Sequence, residues 1–384
     1  MEAGRPRNVL LVSLSQFGMA FSNNFIQVFL PFFILKISPY SQEKTLLWIG
    51  FVMGVSHLVT TVASNFWGIL TSRFSPKMLY LRGLLSNSVL FLLMGFTTNL
   101  HLLFLLRILQ GVSGGISTIG LIIISASSPR ERLSADIGFF QTFITLGFLL
   151  GPPLGAWAAS AFGYQGAFLT ASIFLTVVLM FCYTQLQEIP HSPGGEKFFS
   201  RGTMNARSIS AWLLSFAANV QLMFLPSILP QVFEKFQIEK SIALKWAGII
   251  IMLYTATATL GTYFWSKLSA RIRGDKMILF LVMGGSACQL LLFVTDKVVI
   301  FVAIRMVQTG LIAATVPLII SIFAAEHRGG TIGFLNSSRF AGNALGPIIA
   351  TSVLAYSHLT TLCFLLSGMT LLTLFGFRAT LRHA

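Results

Sequence analysis

The sequence predicts an all-α integral membrane protein, with twelve transmembrane helices arranged as two pseudo-twofold six-helix bundles. Three observations carry that prediction. Hydrophobic residues fill 55% of the 384 positions and Asp, Glu, Lys and Arg together only 10%, against about 25% charged residues in a soluble domain. Apolar runs near the roughly 20 residues that a bilayer-spanning helix needs recur along almost the whole chain. The first half of the chain then repeats in the second.

The predicted spans of the first half are 9–35, 47–71, 78–97, 100–126, 136–162 and 165–187. Those of the second are 209–233, 245–270, 276–295, 298–324, 330–356 and 359–379. The run that begins at Val9 is long enough to span and lacks the small-residue exit of a cleavable leader, so it reads as the first helix. The longest interruption, 188–208, holds Pro190, Pro193, Gly194 and Gly195 among several charges. It reads as a cytoplasmic linker between an N-terminal bundle at 1–187 and a C-terminal bundle at 209–384.

Charge sets the direction. With the N-terminus inside, 17 of the 26 Lys and Arg fall in inner segments, six fall in outer segments, and Arg107, Arg305 and Arg339 lie within helices. That excess predicts a multi-pass protein of the inner (plasma) membrane with both termini cytoplasmic. The net charge of +15 is scattered between apolar runs and not gathered on one segment, so it does not point to nucleic acid. Cys182, Cys288 and Cys363 all lie inside apolar runs, as packing residues do, with neither disulfide-framework nor metal-ligand spacing. Neither a Walker loop nor a nucleophile elbow is present, and no His–carboxylate pair has ligand spacing. The chain is therefore not expected to be an enzyme, to hold a metal or cofactor, or to be driven directly by ATP.

The repeat has a nearly constant offset. Phe21, Asn24 and Phe29-Leu30-Pro31 match Phe216, Asn219 and Phe224-Leu225-Pro226, 195 residues on. Phe66-Trp67 and Arg73 match Phe264-Trp265 and Arg271, and Arg107 and Gln110 match Arg305 and Gln308, all 198 on. Ile137-Gly138-Phe139, Gly147 and Leu150-Gly151-Pro152 match Ile332-Gly333-Phe334, Gly342 and Leu345-Gly346-Pro347 at 195. Arg, Gln, Asn, Pro and Trp are rare inside apolar segments, so these coincidences are the informative ones. Parallel repeats place a substrate site at their interface near mid-membrane, and two similar bodies can expose it to one side at a time.

Three segments resemble signatures of the major facilitator superfamily, and the resemblance covers essentially the whole chain. The loop from Gly68 to Lys77 is similar to the family's G-x-L-a-D-R-x-G-R-K loop at Gly68, Leu70, Arg73 and Lys77, but has Ser72, Ser75 and Pro76 where the family has its acidic, glycine and first following basic residues. Arg107 to Gly115 resembles R-x-x-Q-G-x-G-a-a, and Gly147 to Gly155 resembles the G-x-x-x-G-P-x-x-G segment of proton-driven efflux members. The resemblance implies a twelve-helix drug–proton antiporter. It further implies a gate role for the bend at Gly151-Pro152, a proton-relay role for Arg107, and a latch at the loop that Ser72 leaves without its acidic group.

The residues themselves add candidates. Gly147, Gly151 and Gly155 form one helix stripe that lets a neighbouring backbone close in, Pro152 permits a bend, and Gly342, Gly346 and Pro347 repeat the device. Buried cations at Arg107, Arg305 and Arg339 require partners or a wet cavity. They are tied to carbonyls and amides, or they serve transport, with Arg339 the preferred contact for an anionic group. All eleven carboxylates fall in loops or near helix ends, which argues against a cationic substrate. His57, mid-helix, is either a packing group or the proton carrier, and Asp136 is the second candidate for coupling. Asn24 and Asn219 line a cavity or bond between helices, with Gln27, Gln221, Phe21 and Phe216 beside them.

The function predicted is secondary active transport by alternating access, as proton-coupled export of amphipathic or anionic small molecules or drugs. The alternative is uptake or facilitated transport of one organic anion or metabolite. The expected partners are a small-molecule substrate, protons and the lipid bilayer, without nucleic acid, and the chain is expected to act as a monomer.

Overall fold

The structure, a computed structural model, describes residues 7–188, 205–269, 271–272, 274–324 and 329–382. Among the described residues it is helical, without strands. The elements are α1 (Arg7–Gln27), α2 (Leu30–Ile37), α3 (Gln42–Leu70), α4 (Pro76–Phe96), α5 (Leu100–Val112), α6 (Ile116–Ser127), α7 (Leu133–Gln185) and α8 (Ala206–Met223). They continue as α9 (Leu225–Lys235), α10 (Lys240–Leu268), α11 (Gly274–Leu291), α12 (Val298–Ile312), α13 (Thr315–Ala324), α14 (Gly329–Tyr356) and α15 (Leu359–Arg382).

Each predicted span falls on an element, a broken pair or part of one. The breaks have local causes. Pro31 and Pro226 sit in the first turns of α2 and α9, where a missing N–H interrupts the helical ladder, so the repeated Phe-Leu-Pro breaks both halves alike. The second break bends the chain by 43°. The break between α5 and α6 passes through Gly115 at φ 88°, a left-handed conformation that glycine adopts without a Cβ penalty. Gly163, at φ 72°, divides α7 where the sequence predicted the gap between two spans. Among the described residues nine helices are long and apolar enough to cross a membrane, or ten when α8 and α9 count as one broken span. The 53-residue α7 covers two predicted spans, and α14 covers the eleventh.

The chain divides into two compact units. One holds 1–38, 59–196 and 244–252, and the other holds 39–58, 197–243 and 253–384. This division departs from the predicted 1–187 and 209–384. The start of α3 belongs to the second unit, and a short piece of α10 belongs to the first. Glycines allow both exchanges. In the second unit a Cβ on Gly54 would meet the Ala344 carbonyl of α14, and one on Gly50 would stand 3.1 Å from the Pro347 carbonyl. In the first unit a Cβ on Gly248 would stand 2.8 Å from the Pro152 carbonyl of α7.

Candidate functional site

In the first unit Arg107 is buried at the centre of an amide network. Its guanidinium donates to Gln110 Oε1 at 2.6 Å and to Gln27 Oε1 at 3.2 Å. Gln110 Nε2 in turn donates to Asn23 Oδ1 at 2.9 Å and Asn87 Oδ1 at 3.3 Å, joining α1, α4 and α5. Asn23 and Gln27 are half-buried, so this network reaches the surface of the unit.

Arg305 occupies the repeated position in the second unit and is fully buried. It donates to the carbonyls of Gln221 (2.8 Å) and Leu222 (2.7 Å) and to Gln308 Oε1. Its guanidinium carbon lies 4.7 Å from the ring centre of Phe224 and 4.9 Å from that of Tyr254. The Leu222 carbonyl is the one that the missing N–H of Pro226 leaves without a helical donor. Gln308 Nε2 donates to Gln221 Oε1 at 3.0 Å and Gln289 Oε1 at 2.8 Å. Gln289 is a partner that the sequence reading missed. It follows Gly285 by four residues as Asn87 follows Gly83, a correspondence at offset 202 that would have revealed it.

The glycine stripes pack where sequence reasoning placed them. A Cβ on Gly147 would stand 2.7 Å from Phe21 N, and one on Gly151 would stand 3.0 Å from Asn24 Cβ, with Gly155 against the Phe25 carbonyl. On α14 a Cβ on Gly342 would stand 3.2 Å from the Phe216 carbonyl and would overlap Asn219, and one on Gly346 would stand 3.2 Å from Met223 Cβ. Pro152 and Pro347 are buried beside the stripes. Gly342 meets Phe216 and Asn219, the counterparts of Phe21 and Asn24, whereas Gly147 already reaches Phe17 and Ala20. The second pair of helices is thus seated about one turn along from the first.

Asn24 and Asn219 each donate Nδ2 to the carbonyl one turn back, Ala20 at 2.9 Å and Ser215 at 2.8 Å. Asn24 is half-buried and Asn219 is buried. Phe21 packs on the rings of Phe17, Phe25 and Phe174, while Phe216 stacks on Trp212 with ring centres 5.5 Å apart. Gln221 is wholly buried and ties α8 to α15 through Thr370 Oγ1 at 2.7 Å. It sits inside the Arg305 network, away from the unit's surface.

Two more contacts repeat. The Trp67 indole N–H donates to the Val112 carbonyl at 2.7 Å and that of Trp265 to the Gly310 carbonyl at 3.0 Å, tying α3 to α5 and α10 to α12. Arg82 lies 3.3 Å over the Trp67 ring, whereas the ring of Phe280 packs 5.8 Å from Trp265.

A third polar cluster is confined to the first unit and was not assembled from the sequence. Gln16 and Ser15 on α1, Tyr80 on α4 and Ser117 on α6 form a hydrogen-bonded chain. The corresponding residues in the second unit are Ser210, Ala211, Val282 and Thr315. Ala211, Leu214, Leu281, Val282, Ile312 and Ile319 there belong to one apolar core.

Of the remaining candidates, Arg339 is exposed on α14, with no hydrogen bond to another described residue. One turn on, the Oδ1 atom of Asn343 is buried without a hydrogen-bond donor, a feature that the i, i+4 spacing from Arg339 could have flagged. His57 is half-buried and Asp136 wholly buried, and both are engaged by neighbours. Arg73 is exposed and Lys77 half-buried. Ser75 and Pro76 supply the N-cap and first residue of α4, a favoured helix start, which accounts locally for the departure from the family loop. The Ser75 hydroxyl also donates to the Glu188 carboxylate at 2.6 Å, so an acidic group meets this loop from the end of the first half.

Two units with the same buried Arg–Gln pairs, the same broken helices and the same glycine seats are a duplicated membrane bundle. The Major Facilitator Superfamily profile matches residues 12–296 and, in a second match, 208–383. The chain belongs to the major facilitator superfamily. It is therefore a multi-pass secondary transporter and not an enzyme. Within the superfamily it is similar to the staphyloferrin B transporter of Staphylococcus aureus, 22% identical over 379 residues, which cover 94% of this chain and 90% of that protein. It is also similar to multidrug resistance protein MdtG of Rahnella sp., 32% identical over 190 residues, 48% of this chain and 46% of that one. A crystal structure of the nucleoside transporter NupG superposes with a TM-score of 0.75 at 15% identity, over 97% of this chain and 99% of that one, a likeness of fold.

Proposed function

We propose that this superfamily member exports amphipathic organic anions by alternating access, coupled to protons, from an inner membrane with both termini cytoplasmic. The observation that carries the anionic reading is Arg339, a residue of α14 that keeps access to the surface while protein packs around its guanidinium, with no hydrogen bond to another described residue. A cation there is costly unless water or an anion meets it, and the eleven carboxylates of the chain all fall in loops or near helix ends. The similarity to the protein named MdtG supports export. The protein named for staphyloferrin B supports the narrower alternative of a single transported metabolite.

The two repeats are the moving bodies in this reading, with the glycine–proline positions Gly151-Pro152 and Gly346-Pro347 as gates and His57 as the proton carrier. The test is transport in proteoliposomes under an imposed pH gradient, using matched anionic, neutral and cationic aromatic substrates. Export of the anions that collapses with a protonophore is expected. Arg339→Gln should impair anions and spare neutral compounds, and equal loss for both would make the arginine structural. His57→Gln should abolish pH dependence, and undiminished proton flux would remove His57 from the mechanism.

A further inference from the structure

The polar cluster confined to the first unit has a direction. The Ser15 and Tyr80 hydroxyls lie 2.6 Å apart, and both face the Val12 carbonyl, at 3.0 Å and 3.4 Å. The Tyr80 oxygen then accepts from Gln16 Nε2 at 3.0 Å. That turns Gln16 Oε1 toward Ser117, whose hydroxyl donates to it at 2.8 Å. A serine hydroxyl has one proton and two lone pairs. With its proton held by Gln16, Ser117 can only accept from anything that approaches it.

Something can approach it. Ser15, Gln16 and Tyr80 are buried, but Ser117 is exposed. The exposed residues of α6 are Ser117, Ser125 and Ala126, and none of its large apolar side chains is among them. The preceding α5 exposes Leu102, Leu105, Leu109 and Val112, a surface suited to lipid. The break at Gly115 thus turns a small, polar face outward on α6. Hydrocarbon gives hydroxyls no partner, so such a face belongs against water or a polar ligand. The counterpart Thr315 is fully buried, so the second unit offers no equivalent acceptor.

We propose that Ser117 is a substrate contact, an obligate hydrogen-bond acceptor for a neutral O–H or N–H of the transported molecule, with Gln16, Tyr80 and Ser15 positioning its lone pairs. This rests on the transport reading above and deepens it: the preferred cargo is an amphipathic acid that also carries a neutral donor.

The test is equilibrium binding to the purified full-length protein of paired aromatic acids that differ only in that donor, such as 4-hydroxybenzoate and 4-methoxybenzoate. The native protein should prefer the phenol by about threefold to tenfold, the worth of one hydrogen bond. Ser117→Ala should erase the preference while leaving the methyl ether's affinity unchanged, and Ser117→Thr should restore it. Tyr80→Phe frees Gln16 to turn and should shrink the preference, which provides a second route if Ser117→Ala does not fold. A folding defect would weaken both acids equally. No preference in the native protein, whether both acids bind or neither does, overturns the assignment, as does a preference that survives Ser117→Ala. Proton-driven export of other anions would then still uphold the transport reading, whereas an intact phenol preference without transport of any anion would sink that reading instead.

Discussion

Arg107 and Arg305 are the same residue of the repeat, yet they stand in different surroundings. Arg305 is fully buried, closes two main-chain carbonyls beside a proline break and lies against two aromatic rings. Arg107 holds Gln27 directly and Asn23 through Gln110, and both of these amides are half-exposed. Two turns back along α1, the first unit adds the chain from Ser15 to Ser117, while the second has Ala211 and Val282 of its apolar core in place of Gln16 and Tyr80. Duplication therefore produced one half with a polar interior that opens to its surface and one with a sealed interior.

The largest test of this contrast is Arg305→Met against Arg107→Met. The first strands the Gln221 and Leu222 carbonyls and should cost about 1–3 kcal/mol for each, or prevent folding. The second leaves side-chain amides that can turn to water and should cost about 1–3 kcal/mol. Thermal unfolding in detergent measures both, and equal losses would break the comparison.

A smaller effect sharpens it through packing. Gly155→Ala drives a methyl into the Phe25 carbonyl and should cost about 1–3 kcal/mol. The corresponding position, Ala350, already accommodates its methyl while fully buried. Ala350→Gly should cost about 0.5–1 kcal/mol. Tyr80→Phe follows, at about 1 kcal/mol, because it removes the central link of the polar chain. A chevron or unfolding series that found no loss would mean that water replaces the hydroxyl. The smallest effect is the difference between Trp67→Phe and Trp265→Phe. Both lose the same kind of indole bond to a carbonyl. Only the first also loses the Arg82 contact, worth about 0.5–1 kcal/mol where partly exposed.

Much of this was legible before the structure. The Phe-Leu-Pro pairs marked the repeat, but the spans 9–35 and 209–233 were read as continuous, and the structure breaks both at the proline. The Arg–Gln pairs announced two polar cores because such residues are too costly in an apolar helix to occur twice by accident. The glycine stripes announced close helix contacts by their spacing alone. What could not be read was which partner each polar group would find. Asn24 and Asn219 bond to their own helices, Gln221 is buried in a network, and Glu188 meets Ser75 across 113 positions of sequence.

By itself, then, the sequence determined the class, the succession of spans and the duplication, since each depends on apolar runs or on repetition at a nearly constant interval. Only the tertiary structure decided that the two units exchange pieces of α3 and α10, and that Ser117 is exposed while Thr315 is buried. Exposure depends on how far a helix is rotated about its own axis against its neighbours. The left-handed turn at Gly115 resets that rotation in one half, and no periodicity within α6 records the outcome.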